Sequence, residues 1–177
     1  MPPTVLLVPG YLNSAPDHWQ SLWEKEHPNF RRVEQRDWEN LDRTEWVQTL
    51  DHAIRAIADP ILLVGHSCGS VLIPLWAEQC PPHTVIGALL VAPADCEAPD
   101  AIPAITALAP MPRSPLPFPS ILVAGTDDPY MAFHRSKEFA QAWGSRFEAI
   151  EGGGHITATS GFGPWLEGKR FLEELGG

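Results

Sequence analysis

The sequence predicts an α/β fold: a minimal six-stranded parallel sheet with helices on both faces, in a single domain over residues 1–177. Three observations carry this. Apolar runs alternate with stretches of helical periodicity along the whole chain, with no hairpin turn signal, which is the pattern of a parallel sheet joined by helical crossovers. The runs Thr4-Val5-Leu6-Leu7-Val8 and Ile61-Leu62-Leu63-Val64 do not alternate with polar residues, as strands covered on both faces do not. The second run leads straight into Gly65-His66-Ser67-Cys68-Gly69 and then into Val71, Leu72, Leu75 and Trp76 at helical spacing, so strand, sharp turn and helix follow one another without a spacer.

Taken in order, Thr4 to Val8 is the first strand, broken by Pro9-Gly10-Tyr11. Ser14-Ala15-Pro16-Asp17 resembles a capped helix start with proline in the first turn. Trp19, Leu22 and Trp23 follow on one face, and His27-Pro28 should end that helix. Phe30 to Val33 is a weaker strand, and its arginines suggest a place near a sheet edge. Asp42-x-x-Glu45 opens a second helix, with Trp46, Val47, Leu50, Ile54 and Ile57 on one face, ended by Asp59-Pro60. After the central strand and its helix, Pro81-Pro82 is a stop and residues 85–91 are the next buried strand. Residues 98–119 hold seven prolines, which excludes a long helix or a central strand. They read as an ordered surface excursion with one short helix near 101–108. Residues 120–124 form a strand, 133–143 a helix, 147–150 the last strand and 165–175 the closing helix.

Composition bounds the function. At 44% hydrophobic and 19% charged, the chain has enough apolar material for a core. A net charge of −10 with no basic cluster argues against nucleic acid and against anionic membranes. The three cysteines, Cys68, Cys80 and Cys96, have no framework spacing. The N-terminus lacks the charged and apolar regions of a signal peptide, and no apolar run approaches about 18 residues. The cytoplasm is therefore the expected compartment.

Gly-x-Ser-x-Gly between strand and helix is the context of a nucleophile elbow. A serine hydroxyl is a weak nucleophile until a base takes its proton, and the base needs an orienting carboxylate. In open α/β sheets both should stand at the carboxyl ends of strands. Gly125-Thr126-Asp127-Asp128-Pro129 follows one strand. Of its two aspartates Asp128 is preferred, because Pro129 pushes it into an extended conformation suited to reaching across a loop; Asp127 reads as a turn or capping residue. Gly152-Gly153-Gly154-His155 follows the last strand and supplies the base. His66 flanks the serine, so it should point away from the hydroxyl; it is read as structural, with a place at the substrate as the alternative. His18, His27, His52 and His83 lie on helices or helix ends and read as surface or half-buried. His134, near the Asp128 loop, is a weaker candidate for touching substrate. The two oxyanion donors should be the backbone N–H groups of Cys68, at a helix N-terminus, and of Tyr11, after the first strand. Gly10, Tyr11, His66, Trp165 and the proline-rich excursion are candidate pocket residues. Zinc-type His/Glu spacing, paired cysteines and Gly-rich phosphate loops are all missing, so neither metal nor cofactor is expected.

On these residues the chain resembles the small, cap-less α/β-hydrolases grouped with the YdeN-like bacterial proteins and the retinoblastoma-binding serine hydrolases. The matching pieces are Val8-Pro9-Gly10-Tyr11, Gly65-His66-Ser67-Cys68-Gly69, Thr126-Asp127-Asp128-Pro129-Tyr130 and Gly154-His155-Ile156. Ser160-Gly161-Phe162-Gly163-Pro164-Trp165 is similar to the tail of the bacterial branch. The resemblance implies the α/β-hydrolase fold without a cap domain, with Ser67 as nucleophile, Asp128 as orienter and His155 as base. Retinoblastoma-type partners are not implied, since Leu-x-Cys-x-Glu does not occur. The expected activity is hydrolysis of a carboxylic ester or related acyl bond of a small substrate. Thioesterase or peptidase chemistry would use the same triad. The rival of a different class is a hydrolase-fold binding or scaffold protein with little turnover, and protein partners are open.

Overall fold

The structure, a computed structural model, describes residues 2–176. Six strands form one parallel sheet: β1 (Thr4–Val8), β2 (Phe30–Arg32), β3 (Ile61–His66), β4 (Val85–Val91), β5 (Ser120–Gly125) and β6 (Arg146–Ile150). Their order across the sheet is β2-β1-β3-β4-β5-β6. The chain moves one way from β1 to β2, then returns to the other side of β1 and moves outward from β3 to β6. The direction reverses between β1 and β3, and open α/β sheets bind their ligands in the crevice at such a reversal.

Helices α1 (Trp19–Glu26) and α5 (Leu166–Gly176) cover one face; α2 (Arg43–Arg55), α3 (Cys68–Gln79) and α4 (Phe133–Trp143) cover the other. The strand period of two sorts the side chains between them. Val5, Leu7, Leu62, Val64, Leu89 and Val91 pack with Trp19, Trp23 and Leu172. Leu6, Val8, Leu63 and Leu90 pack on the opposite face with Leu50, Leu72, Trp76 and Trp143. The continuous apolar runs are thus two interleaved faces, each with its own partner. The central strands β3 and β5 are buried along their whole length, whereas β2 and β6 are partly exposed.

Local chemistry sets most element ends. Asp42 caps α2 by accepting from the Glu45 N–H at 2.8 Å. That helix stops at Arg55, before the expected Asp59-Pro60. α1 begins later than the Ser14–Asp17 pattern suggests. Its cap is His18, whose Nδ1 accepts from the Gln20 N–H, while the Ser14 hydroxyl donates to the Gln20 side chain at 2.6 Å. The proline-rich segment forms a 3-10 turn over Pro103–Leu108. It is more than a surface excursion, because Ile105, Leu108, Met111 and Phe118 are buried in the core. No described helix is long and apolar enough to cross a membrane.

Candidate active site

Ser67 stands at the turn between β3 and α3 with φ 57 and ψ −123. A non-glycine residue held at such a positive φ stores roughly 1–3 kcal/mol of strain. Its surroundings enforce that geometry. The Ser67 N–H donates to the Val91 carbonyl at 3.0 Å, and the buried Ser70 hydroxyl donates to the same oxygen at 2.9 Å. The flanking glycines are required by contact: a Cβ on Gly65 would lie 2.7 Å from the Ser70 nitrogen, and one on Gly69 would lie 1.8 Å from the Val8 carbonyl oxygen.

The loops after β5 and β6 converge on this serine. Asp128 meets His155 through both carboxylate oxygens, with Nδ1 2.9 Å from Oδ2 and 3.0 Å from Oδ1. A carboxylate can only accept, so Nδ1 carries the proton and Nε2 is left free to act as a base. Oδ1 also accepts the Tyr130 N–H at 2.8 Å, and the Asp128 side chain is only 1% exposed. Asp127 does a different job. It accepts the Gly154 N–H at 2.7 Å and so ties the histidine loop to the aspartate loop. The two loops touch so closely that a Cβ on Gly125 would lie 2.2 Å from the Gly154 carbonyl oxygen. Among the described residues Ser67 makes no hydrogen bond to the His155 ring, although both line one cavity. Such bonds often tighten only when substrate is bound.

Tyr11 lines the same cavity, and Cys68 directly follows Ser67. Neither backbone N–H donates to a protein oxygen among the described residues, and Cys68 opens α3, where the helix dipole favours negative charge. Gly10 lets the two approach, since a Cβ there would lie 2.9 Å from the Cys68 nitrogen. The Cys68 thiol itself is buried.

The cavity holds about 360 Å³. Gly10, Tyr11, His66, Ser67 and His155 are among the residues that line it. His66 faces it while its Nε2–H donates to the His155 carbonyl at 2.8 Å. It therefore supports the backbone of His155, and burial holds its pKa well below the ordinary 6.5.

Two placements differ from the sequence reading. His18, read as surface or half-buried, is only 6% exposed and lines the cavity, its ring 4.6 Å from that of His66. Burial, with the charge of Arg32 second, pulls its pKa to about 4, so it is neutral at pH 7. The signal available was its position directly before Trp19, which fills the core. Trp165, a candidate at the substrate, does not line the cavity. It is buried against Trp19 and Trp23, with ring centroids 5.0 and 5.9 Å away. That aromatic cluster acts on the site indirectly, since the Trp19 indole N–H donates to the carbonyl of Ile156, next to His155, at 2.9 Å. His134 is exposed and lies outside the cavity wall, as do the half-buried His27 and the exposed His52 and His83. No group of three or more His, Cys, Asp or Glu suited to a metal occurs among the described residues.

Comparison with known proteins agrees with this architecture. Residues 5–174 match a family model described as serine hydrolase. A YdeN-like hydrolase of Pectobacterium atrosepticum is 35% identical, with a TM-score of 0.87 over 98% of this chain and 90% of that one. The ydeN gene product of Bacillus subtilis superposes with a TM-score of 0.77 at 19% identity, covering 98% of each chain. The type II thioesterase BorB of the borrelidin biosynthetic cluster gives a TM-score of 0.68 at 16% identity, over 99% of this chain and 93% of that one. Among curated proteins no match was found. The fold is that of the α/β-hydrolases, without a cap domain.

Proposed function

Because this chain belongs to the serine hydrolase family, we propose that it hydrolyses a carboxylic ester or related acyl bond of a small substrate with Ser67, His155 and Asp128 as a catalytic triad. The observation that carries this reading is the 2.9 Å contact of Asp128 with His155 Nδ1, which leaves Nε2 free in the cavity that also holds the strained Ser67.

His155 Nε2 takes the Ser67 proton as Oγ bonds to the acyl carbon. The resulting oxyanion rests on the N–H groups of Tyr11 and Cys68. Asp128 stabilises the imidazolium. As the bond to the leaving alkoxide breaks, His155 returns the proton to it and the alcohol departs. A water, deprotonated by the same nitrogen, then attacks the acyl-serine and releases the acid and free Ser67. Atoms balance as one ester and one water giving one acid and one alcohol, with no cofactor involved. The three free thiols suit a reducing compartment, so the cytoplasm is the proposed site of action, with no nucleic acid or membrane as partner.

Labelling by a fluorophosphonate probe tests this. Wild type is expected to label, Ser67→Ala and His155→Ala to lose labelling, and turnover of a p-nitrophenyl ester to fall by about 10⁵–10⁶ in either variant. Asp128→Asn should cost about 10⁴ in kcat, since the wrong imidazole tautomer results. Asp127→Asn should label normally. A folded wild type that refuses the probe overturns the reading and leaves a binding or scaffold protein on a hydrolase fold.

A further inference from the structure

The walls of the catalytic cavity differ in chemistry and charge. On the β4 and β5 side stand Ala94, Ile102, Ile105 and Tyr130. Ile102 and Ile105 come from the proline-rich segment, and Ile105 is also anchored in the core. Apart from the Tyr130 hydroxyl, this wall presents apolar groups. On the β1 and β6 side stand the polar Asn13, Asp17, Thr157 and Thr159, interspersed with Leu12, Ala15 and Ala158. Asp17 is exposed at the mouth, makes no ion pair among the described residues, and is the one carboxylate in the wall. No lysine or arginine lines the cavity. The nearest arginine on this side, Arg32, is spent on Glu24, Asn13, Ser14 and Ser21. The two buried histidines that line the cavity, His18 and His66, add no positive charge at neutral pH.

The surroundings have the same sign. A second cavity of about 770 Å³ shares Ile102, Ile105 and Tyr130 with the first. Its charged lining is Asp95, Glu97, Asp100 and Asp128 against a single arginine, Arg135, and Arg135 is already paired with Asp95 and Glu97. The whole chain carries −10. A substrate with a carboxylate or phosphate near its ester would approach an acidic mouth and find no cation inside. An uncharged ester meets no such penalty, and its apolar arm has a wall built for it.

We propose that this site selects uncharged esters with a short apolar arm and turns away anionic acyl compounds, with Asp17 as the residue that enforces the charge selection and Ile102 and Ile105 as the seat of the apolar arm. The proposal rests on the esterase reading above and narrows it: acyl groups carried on polyanionic thiol carriers fall outside the range.

The test compares methyl valerate with monomethyl adipate, two methyl esters of similar length of which only the second ends in a carboxylate. Each releases methanol and an acid, followed by pH-stat. Wild type is expected to prefer methyl valerate in kcat/KM by about tenfold at low salt, the size of effect a unit charge exerts across a few ångströms of partly wet protein. The preference should narrow as salt rises, because an exposed charge is screened. Asp17→Asn should cut the ratio between the two esters threefold or more, and Ile105→Ser should raise KM for methyl valerate. If an enzyme that Ser67→Ala silences hydrolyses both esters alike, or if Asp17→Asn leaves the ratio unchanged, the charge selection is overturned while the serine chemistry stands. A wild type that cleaves neither ester and refuses the fluorophosphonate overturns the esterase reading and the selection with it.

Discussion

The two walls of the cavity are held in place by different physics. The wall after β1 carries the expected oxyanion donor of Tyr11 and runs through two consecutive left-handed residues, Leu12 at φ 66 and Asn13 at φ 64. Polar contacts hold it. Arg32, on β2, donates to Asn13 Oδ1 at 2.9 Å, the Ser14 carbonyl at 3.1 Å and the Ser21 hydroxyl at 2.7 Å, and pairs with Glu24 at 2.8 Å. The opposite wall, from the proline-rich segment, is stiffened by its prolines and pinned by Ile105, Leu108, Met111 and Phe118. An ionic bridge fastens it to α4: Arg135 to Asp95 at 2.9 Å and to Glu97 at 2.9 Å, with Arg113 to Glu97 at 2.7 Å. Apolar packing tolerates small displacements; a backbone donor aimed at a developing charge does not. The wall that must place atoms is over-determined by directional bonds, and the wall that need only exclude water and shape a pocket is packed.

If that contrast is right, breaking the first wall costs rate and breaking the second costs binding. The largest effect is expected from Arg32→Met. It should lower kcat on a p-nitrophenyl ester by about 10²-fold, the size of losing one oxyanion donor, with KM changed less than threefold. Arg32 is 10% exposed and Glu24 is 35% exposed, so the stability cost should be about 2 kcal/mol, below that of breaking a fully buried pair. Arg32→Lys should keep most of the stability but little of the rate, because an ammonium cannot reproduce the fork. Equal loss of rate and stability in both variants would reduce Arg32 to a structural residue.

Arg135→Met breaks the second wall. It strands Asp95, whose side chain is 8% exposed, and frees the segment bearing Ile102 and Ile105. KM for apolar esters is expected to rise about five- to tenfold with kcat within a factor of two, at a cost of about 2 kcal/mol in stability. A kcat loss as deep as that of Arg32→Met would erase the distinction between the walls.

Acid should separate them again. His18, in the first wall, has its pKa lowered from 6.5 to about 4, chiefly by burial. The unfolded chain then binds the proton more readily, so stability falls as pH drops from 6.5 towards 4. Glu97, in the second, is lowered from 4.5 to about 2, chiefly by its hydrogen bond with Arg113. Its contribution is full above 4.5 and is lost towards 2. Thermal melts across pH should therefore show two successive declines. Glu97→Gln should lessen only the lower one, and His18→Asn only the upper, to which the buried His66 also contributes.

What the sequence made legible follows the range of the forces involved. The strands, the elbow and the helix caps such as Asp42 are set by neighbours in sequence, and they could be read from periodicity and turn chemistry. The preference for Asp128 over Asp127 rested on the proline after it, again a local effect, and Asp128 is the aspartate that meets the His155 ring. Illegible were the contacts that join distant segments. Arg32 looked like an edge-strand charge, and nothing local ties it to Asn13. Ser14 looked like a helix cap, but Gln20 competes for its hydroxyl and His18 takes the capping role. Trp165 looked available to a substrate because aromatic residues serve cores and pockets equally well; only the arrival of Trp19 and Trp23 from the other end of the chain assigns it to the core.

Leu12 offers the finest comparison, because its backbone is tied into the directional wall while its side chain is not held by it. Its side chain is 57% exposed at the cavity rim, while its backbone occupies the left-handed region at φ 66. A branched apolar residue there loses about 1 kcal/mol relative to one that tolerates the conformation, and little burial offsets it. The Leu12 N–H bond to the Trp38 carbonyl at 3.1 Å is made by the backbone and survives substitution. Asparagine accepts the left-handed region more readily, so Leu12→Asn should raise stability by about 0.5–1 kcal/mol, read by denaturant melts. A stabilising substitution at the mouth of a catalytic cavity implies that the native leucine is kept for contact with a ligand. The same variant should therefore raise KM for apolar esters about two- to threefold with kcat unchanged. A gain in stability with no change in KM would mean that the rim does not touch substrate and that the apolar arm lies wholly on the wall of Ile102 and Ile105.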